Sequence, residues 1–164
     1  MSKVLHNDIQ RIDACELYDQ LENAIRSVIC RGDYVNGKEV EIFQERFTKY
    51  IGTKYCVGMA NCTDALTIAL KTIDAERVAI PAMTFAATAE AVINANAEPI
   101  FIDVDPMLHT MDLEELFREE HVDAIIPVHL YGYPANMKEI MRFAKKIKAT
   151  VIEDCAQATG ACIG

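Results

Sequence analysis

The 164-residue chain contains no tryptophan, only 5 prolines and 7 glycines, and too few cations to balance its carboxylates. Scarce proline and glycine beside 51% hydrophobic residues exclude collagenous, low-complexity and disordered classes and leave one compact domain with a real core. Lys and Arg total 16 against 25 Asp and Glu, a net charge of −9. No basic stripe is available to neutralise a phosphate backbone, which excludes nucleic acid as a partner class. No stretch approaches the ~18 uninterrupted apolar residues that cross a bilayer. The opening Met1-Ser2-Lys3-Val4-Leu5-His6-Asn7-Asp8 lacks the apolar core of a secretory signal, so a cytoplasmic protein is expected. Cys15, Cys30, Cys56, Cys62, Cys155 and Cys162 form no C-x-x-C pair and have no His at ligand spacing. That scatter reads as reduced thiols, with neither a disulfide framework nor a bound metal expected. Asn61-Cys62-Thr63 matches a glycosylation sequon but has no meaning without a secretory route.

Apolar periodicity then marks the elements. Leu17, Leu21, Ile25 and Val28 predict an amphipathic helix over roughly 14–31 that Gly32 ends. Val40, Phe43, Phe47 and Tyr50 predict a second over 38–51, capped by Gly52. Beyond these, short β-like runs alternate with helices. The strands are read at 55–60, 77–80, 99–103, 124–128 and 150–154. Helices are read around Leu66, Ala69, Leu70 and Ile73, over 85–96, over 113–120 with Asp112 as N-cap, and from Met137 to Ile147. Five apolar strands alternating with helices give an α/β fold, a three-layer αβα arrangement with a mainly parallel sheet. No helix follows the fifth strand to cover it, so the chain is expected to stop partway through its fold.

Two phosphate motifs fail. Gly32 to Lys38 imitates a Walker A loop, but Glu39 stands where Ser or Thr must bind magnesium, and a helix precedes it instead of a strand. No G-x-G-x-x-G occurs, which disfavours a dinucleotide site. The segment Met59 to Leu66 says more. It joins a strand end to a helix start, with Asn61, Thr63 and Asp64 able to cap, and reads either as an ordinary cap or as an anion pocket. Asp154 ends the fifth strand, where ligands of parallel sheets gather; it is a turn former or a carboxylate able to hold a pyridinium nitrogen protonated. Gln157 is placed to bond another polar atom of such a ring. Phe85 is either core or a cover for the ring's face. Three strand ends would thus supply phosphate, face and ring-nitrogen contacts for one pyridoxal phosphate.

The ordered set Tyr34-Val-Asn-Gly37-Lys-Glu-Val40 with Phe43, Tyr50-Ile-Gly52, Asn61-Cys-Thr-Asp-Ala-Leu66, Pro81-x-x-Thr84-Phe85, Phe101-x-Asp103, Pro127-Val-His-Leu-Tyr-Gly-x-Pro134 and Glu153-Asp154-x-Ala156-Gln157-Ala158 resembles the DegT/DnrJ/StrS sugar aminotransferases. The resemblance spans roughly 30–164. It implies the large domain of a fold-type-I pyridoxal 5'-phosphate (PLP) enzyme over 1–164, incomplete, with two N-terminal helices at roughly 14–51 and no small C-terminal domain. It implies amino transfer, usually from glutamate, to a keto group of a nucleotide-linked sugar in polysaccharide or amino-sugar biosynthesis, by a homodimer; that no nucleic acid or membrane is expected as a partner comes from the charge and hydropathy above. It also implies cofactor contacts from Thr63, Asp64, Phe85, Asp154 and Gln157.

Two departures accompany the resemblance. Cys62 stands where the family commonly has Gly, a strained choice if the backbone there needs a positive φ. The family's Schiff-base lysine lies a few tens of residues past Glu-Asp-x-Ala-Gln. Lys138, Lys145, Lys146 and Lys148 instead fall on a predicted amphipathic helix, so no catalytic residue is expected within these 164 and the chain alone is expected to be inactive. His129 reads as a satisfied structural histidine more than an acid–base group. The other readings are a non-catalytic binding or assembly fragment and part of a PLP-dependent sugar dehydratase-like relative.

Overall fold

A computed structural model describes residues 15–163. Residues 1–13, the first residue of the predicted 14–31 helix and Gly164 lie outside the described residues. The chain divides into two compact units, residues 1–58 and 59–164.

The first unit holds helices α1 (Cys15–Arg31) and α2 (Lys38–Ile51). Arg31 at the end of α1 reaches Asp33 at 3.2 Å and Glu39, in the first turn of α2, at 2.5 Å. Gly37 must be glycine for room: a Cβ there would stand 2.5 Å from the Asp33 carbonyl oxygen. Gly52 closes α2 in the left-handed region at φ 80, its N–H returning to Thr48. The run Tyr55–Ala60 is not a strand, contrary to its apolar pattern. Its Gly58 N–H donates to the Gln44 side chain at 2.6 Å, where a strand would need a backbone ladder, and Tyr55 and Val57 are exposed.

The second unit contains the sheet. In order come α3 (Cys62–Thr72), β1 (Arg77–Pro81), α4 (Ala86–Asn94), β2 (Glu98–Ile102), α5 (Leu113–Leu116), β3 (Ala124–Ile125), a 3₁₀ turn (Leu130–Gly132), α6 (Met137–Ile147) and β4 (Thr150–Val151). Among the described residues four strands, not five, lie parallel in the order β2-β1-β3-β4. The ladder of the two short strands extends past their ends through a parallel bridge between Val128 and Asp154.

Alternation along the strands makes the three layers. Val78, Ile80, Ala124 and Ile126 face Leu66 and Leu70 of α3 and Ala91 and Val92 of α4. Ala79, Ile102 and Ile125 face Leu116 of α5 and Ile140, Phe143 and Ala144 of α6. Both faces of the central strands β1 and β3 are covered, which is why those two are almost wholly apolar, whereas Phe101 on the edge strand β2 is exposed. The chain leaves β1 toward β2 on one side and returns through β3 on the other. The direction of winding reverses between β1 and β3, and there the carboxyl ends of an α/β sheet open a crevice.

Candidate functional site

A cavity of about 200 Å³ lies at those carboxyl ends. Its lining includes Cys62 and Thr63 from the start of α3, Thr84 and Phe85 after β1, Thr88 in α4, and Asp154 and Gln157 after β4. Four of the five residues proposed from sequence, Thr63, Phe85, Asp154 and Gln157, therefore meet in one place.

Each is positioned by an identifiable local cause. Asn61 caps α3: its Oδ1 accepts the Asp64 N–H at 2.8 Å, and its amide donates to the Asp64 carboxylate at 2.9 Å. Asp64 is thus engaged in the cap and is not among the residues lining the cavity. The leading N–H groups at Cys62 and Thr63 precede any intrahelical acceptor, and with the helix dipole they favour an anion. Cys62 is not among the residues with positive φ, so the strain considered for a non-glycine residue does not arise. Its thiol turns toward Asp154, with Sγ 3.8 Å from Oδ1.

Asp154 is buried, 7% exposed, at the end of the extended β4 ladder. Its N–H donates to Pro127 and its carbonyl accepts from His129, so its backbone is locked into the sheet. Oδ1 accepts the Ala156 N–H at 3.1 Å, and Oδ2 lies 3.1 Å from the buried Thr88 hydroxyl. Gln157 accepts the Tyr131 N–H on Oε1 at 2.8 Å. That contact fixes its amide and leaves Nε2, with two hydrogens, as a donor without a partner among the described residues. Tyr131 holds a left-handed backbone, φ 54, inside the 3₁₀ turn. The ring of Phe85, the N-cap residue of α4, is exposed at the cavity rim.

The Cys62 thiol is raised above its ordinary value of 9.0, first by burial against the pocket and then by the Asp154 charge and hydrogen bond. Cys155 is raised by burial and by the charges of Glu153 and Asp154. Both remain thiols at neutral pH.

His129 is buried and satisfied. Its Nδ1 accepts the Ala135 N–H at 3.0 Å, which places the ring proton on Nε2, 3.0 Å from Glu153. With Cys155 these two groups form a cluster within 4.8 Å, but the nitrogen that a cation would need carries that proton. Thr88 is not among the residues read from sequence, and Thr84 enters there only within the Pro81-x-x-Thr84-Phe85 motif. The available signal is a hydroxyl in the first turn of an Ala-rich helix with a second one just before its N-cap.

The parallel sheet with helices on both sides matches part of the α/β fold of solved aminotransferases, among them a DegT/DnrJ/EryC1/StrS aminotransferase from Brucella abortus with a TM-score of 0.85 and 35% identity over 96% of this chain and 45% of its own. Bacillus subtilis NtdA, solved with bound cofactor PMP, superposes with a TM-score of 0.88 and 29% identity over 98% of this chain and 38% of its own. The model of the DegT/DnrJ/EryC1/StrS aminotransferase family matches residues 16–164, and the chain belongs to that family. It is 38% identical, over 87% of its length, to the dTDP-3-amino-3,6-dideoxy-alpha-D-galactopyranose transaminase of Aneurinibacillus thermoaerophilus, covering 40% of that protein. It is 39% identical, over 87% of its length, to the UDP-2-acetamido-2-deoxy-3-oxo-D-glucuronate aminotransferase of Pseudomonas aeruginosa, covering 41%. The chain thus spans about 40% of the length of these curated relatives.

Proposed function

We propose that these residues form the cofactor cradle of a pyridoxal-phosphate-dependent aminotransferase acting on a nucleotide-linked keto sugar. The observation that carries this reading is the convergence of Thr63, Phe85, Asp154 and Gln157 on one cavity. The donor set suits the group: an anion-favouring helix start for a phosphate, a buried carboxylate for a pyridinium, an amide donor for a ring oxygen and an aromatic cover. When bound, the cofactor supplies an electron sink for charge that develops beside the transferred nitrogen. In this assignment Thr63 and the first N–H groups of α3 bind the phosphate. Asp154 holds the proton on the ring nitrogen, Gln157 orients the ring through Nε2, and Phe85 shields one face from water. Asp64 contributes to the phosphate end by fixing the first turn of α3 through Asn61.

Among the described residues the cavity lining holds no lysine, and the contacts assigned to them here are non-covalent. The amino donor and keto sugar would meet the cofactor's open side, and the nucleotide-sugar activities of the relatives support that substrate class. The test is a fluorescence titration of the 164-residue chain with pyridoxamine 5'-phosphate. Saturable binding is expected, with Asp154→Ala weakening it roughly tenfold or more, the scale of one hydrogen bond between charged groups. No binding, or equal binding by the variant, would sink the assignment.

A homodimer belongs to the same proposal. Helix α1 exposes Leu17, Leu21, Ile25 and Ile29, and α2 exposes Val40, Phe43 and Ile51, apolar surface that a monomer would leave in water. Sedimentation equilibrium is expected to give a dimer at micromolar concentration; a monomer at all concentrations counts against it.

A further inference from the structure

We propose that Thr88 is a positioning residue that aims one oxygen of Asp154 at the cofactor's ring nitrogen; this rests on the cofactor reading above. Thr88 is 1% exposed in the first turn of α4, and its Oγ1 lies 3.1 Å from Asp154 Oδ2 and 2.9 Å from Thr84 Oγ1. Its main partner differs in kind from those of three other helical threonines. Thr48, Thr67 and Thr72 donate to carbonyls one turn back in their own helices, at 2.7, 2.9 and 2.7 Å. That local bond is the usual outlet for such a hydroxyl. Thr88 instead reaches across the fold to a carboxylate 66 residues away in sequence.

A hydroxyl carries a single hydrogen. Thr88 spends it on the Asp154 carboxylate, so its own oxygen accepts from Thr84 and the order is Thr84 to Thr88 to Asp154. The two carboxylate oxygens are then unequal. Oδ1 already faces the Ala156 N–H and the Cys62 thiol, while Oδ2 has one protein donor among the described residues, Thr88. With about two lone pairs on each oxygen, Oδ2 retains the acceptor site for a ring N–H. Three separate elements, α3, α4 and the turn after β4, hold the carboxylate plane, and Thr88 is the one that acts on the oxygen left for the ligand.

The experiment measures binding of pyridoxamine 5'-phosphate and of its 1-deaza analogue, which carries C–H in place of the ring nitrogen, to the full chain. Thr88→Val keeps the shape and removes the hydroxyl; Thr88→Ser keeps the hydroxyl. Thr88→Val is expected to weaken the natural ligand about tenfold, the scale of one hydrogen bond to a charged group, while leaving the deaza analogue within about twofold. Thr88→Ser is expected to restore the difference between the two ligands. Equal losses for both ligands, or no loss for either, would overturn the inference while leaving the cofactor reading intact. Failure of the unaltered chain to bind pyridoxamine 5'-phosphate would remove both. Should Thr88→Val lose its circular-dichroism signal, Thr84→Val decides: a smaller loss confined to the ligand with ring nitrogen supports the relay, and an unselective one refutes it.

Discussion

Cys62 and Cys155 flank Asp154, and both thiols ionise above their ordinary 9.0 in the folded chain. An unfolded chain releases these protons first. Stability from this source is therefore intact below the ordinary value and is lost as pH rises from 9.0 through the raised folded values. Urea midpoints measured between pH 8 and pH 10.5 should fall, and the Cys62→Ala/Cys155→Ala double variant should fall less steeply. An identical slope in the variant would refute the assignment. The thiolate is the reactive species, so iodoacetamide should also modify both more slowly at pH 8 than it modifies a free thiol.

At the scale of the element, caps and apolar faces carry testable weight. Asn61 satisfies the Asp64 N–H at the start of α3, and Asn61→Ala is expected to cost about 1 kcal/mol in chemical denaturation. Ile140 is fully buried where α6 packs on the sheet, so Ile140→Ala is expected to cost about 2–5 kcal/mol. A variant within experimental error of the parent would mean that the site collapses around the missing atoms. The helices were legible because their signal is local: Met137, Ile140, Ala144 and Ile147 repeat along one face, and α6 runs over Met137–Ile147 as that spacing predicts. The run at 55–60 was misleading for the converse reason. Apolar content marks a stretch able to enter a sheet, but a strand exists only if another strand offers its backbone, and Gly58 pairs with a side chain. The predicted helix over 113–120 shortens to Leu113–Leu116, with Glu119 and Arg118 continuing only in tight turns.

Across the molecule, burial is uneven. Every buried apolar residue among those described lies between Leu66 and Ala158, within the unit 59–164. Residues 59–164 expressed alone should therefore keep a cooperative thermal transition, whereas 1–58 alone should not. Gradual, non-cooperative melting of 59–164 would contradict this account of where the stabilising core lies. The candidate site follows the same division between near and far. Asp154 is a candidate in advance because a carboxylate ending an apolar strand stands at the ligand-facing edge of a parallel sheet, and Gln157 because it follows three residues on. Thr88 is not, because a hydroxyl on a helix is satisfied locally by default.

By itself the sequence determined the α/β class, the positions of the helices and the family, since periodicity, capping residues and ordered motifs are properties of neighbouring residues. Tertiary structure alone decided that four strands form the sheet, that the Cys62 thiol and the Thr88 hydroxyl meet the Asp154 carboxylate, and that Gln157 has its amide turned by Tyr131. The physical reason is that a hydrogen bond is set by distance in space. Residues 66 and 92 positions apart meet at Asp154 only after the crossovers have brought the strand ends together.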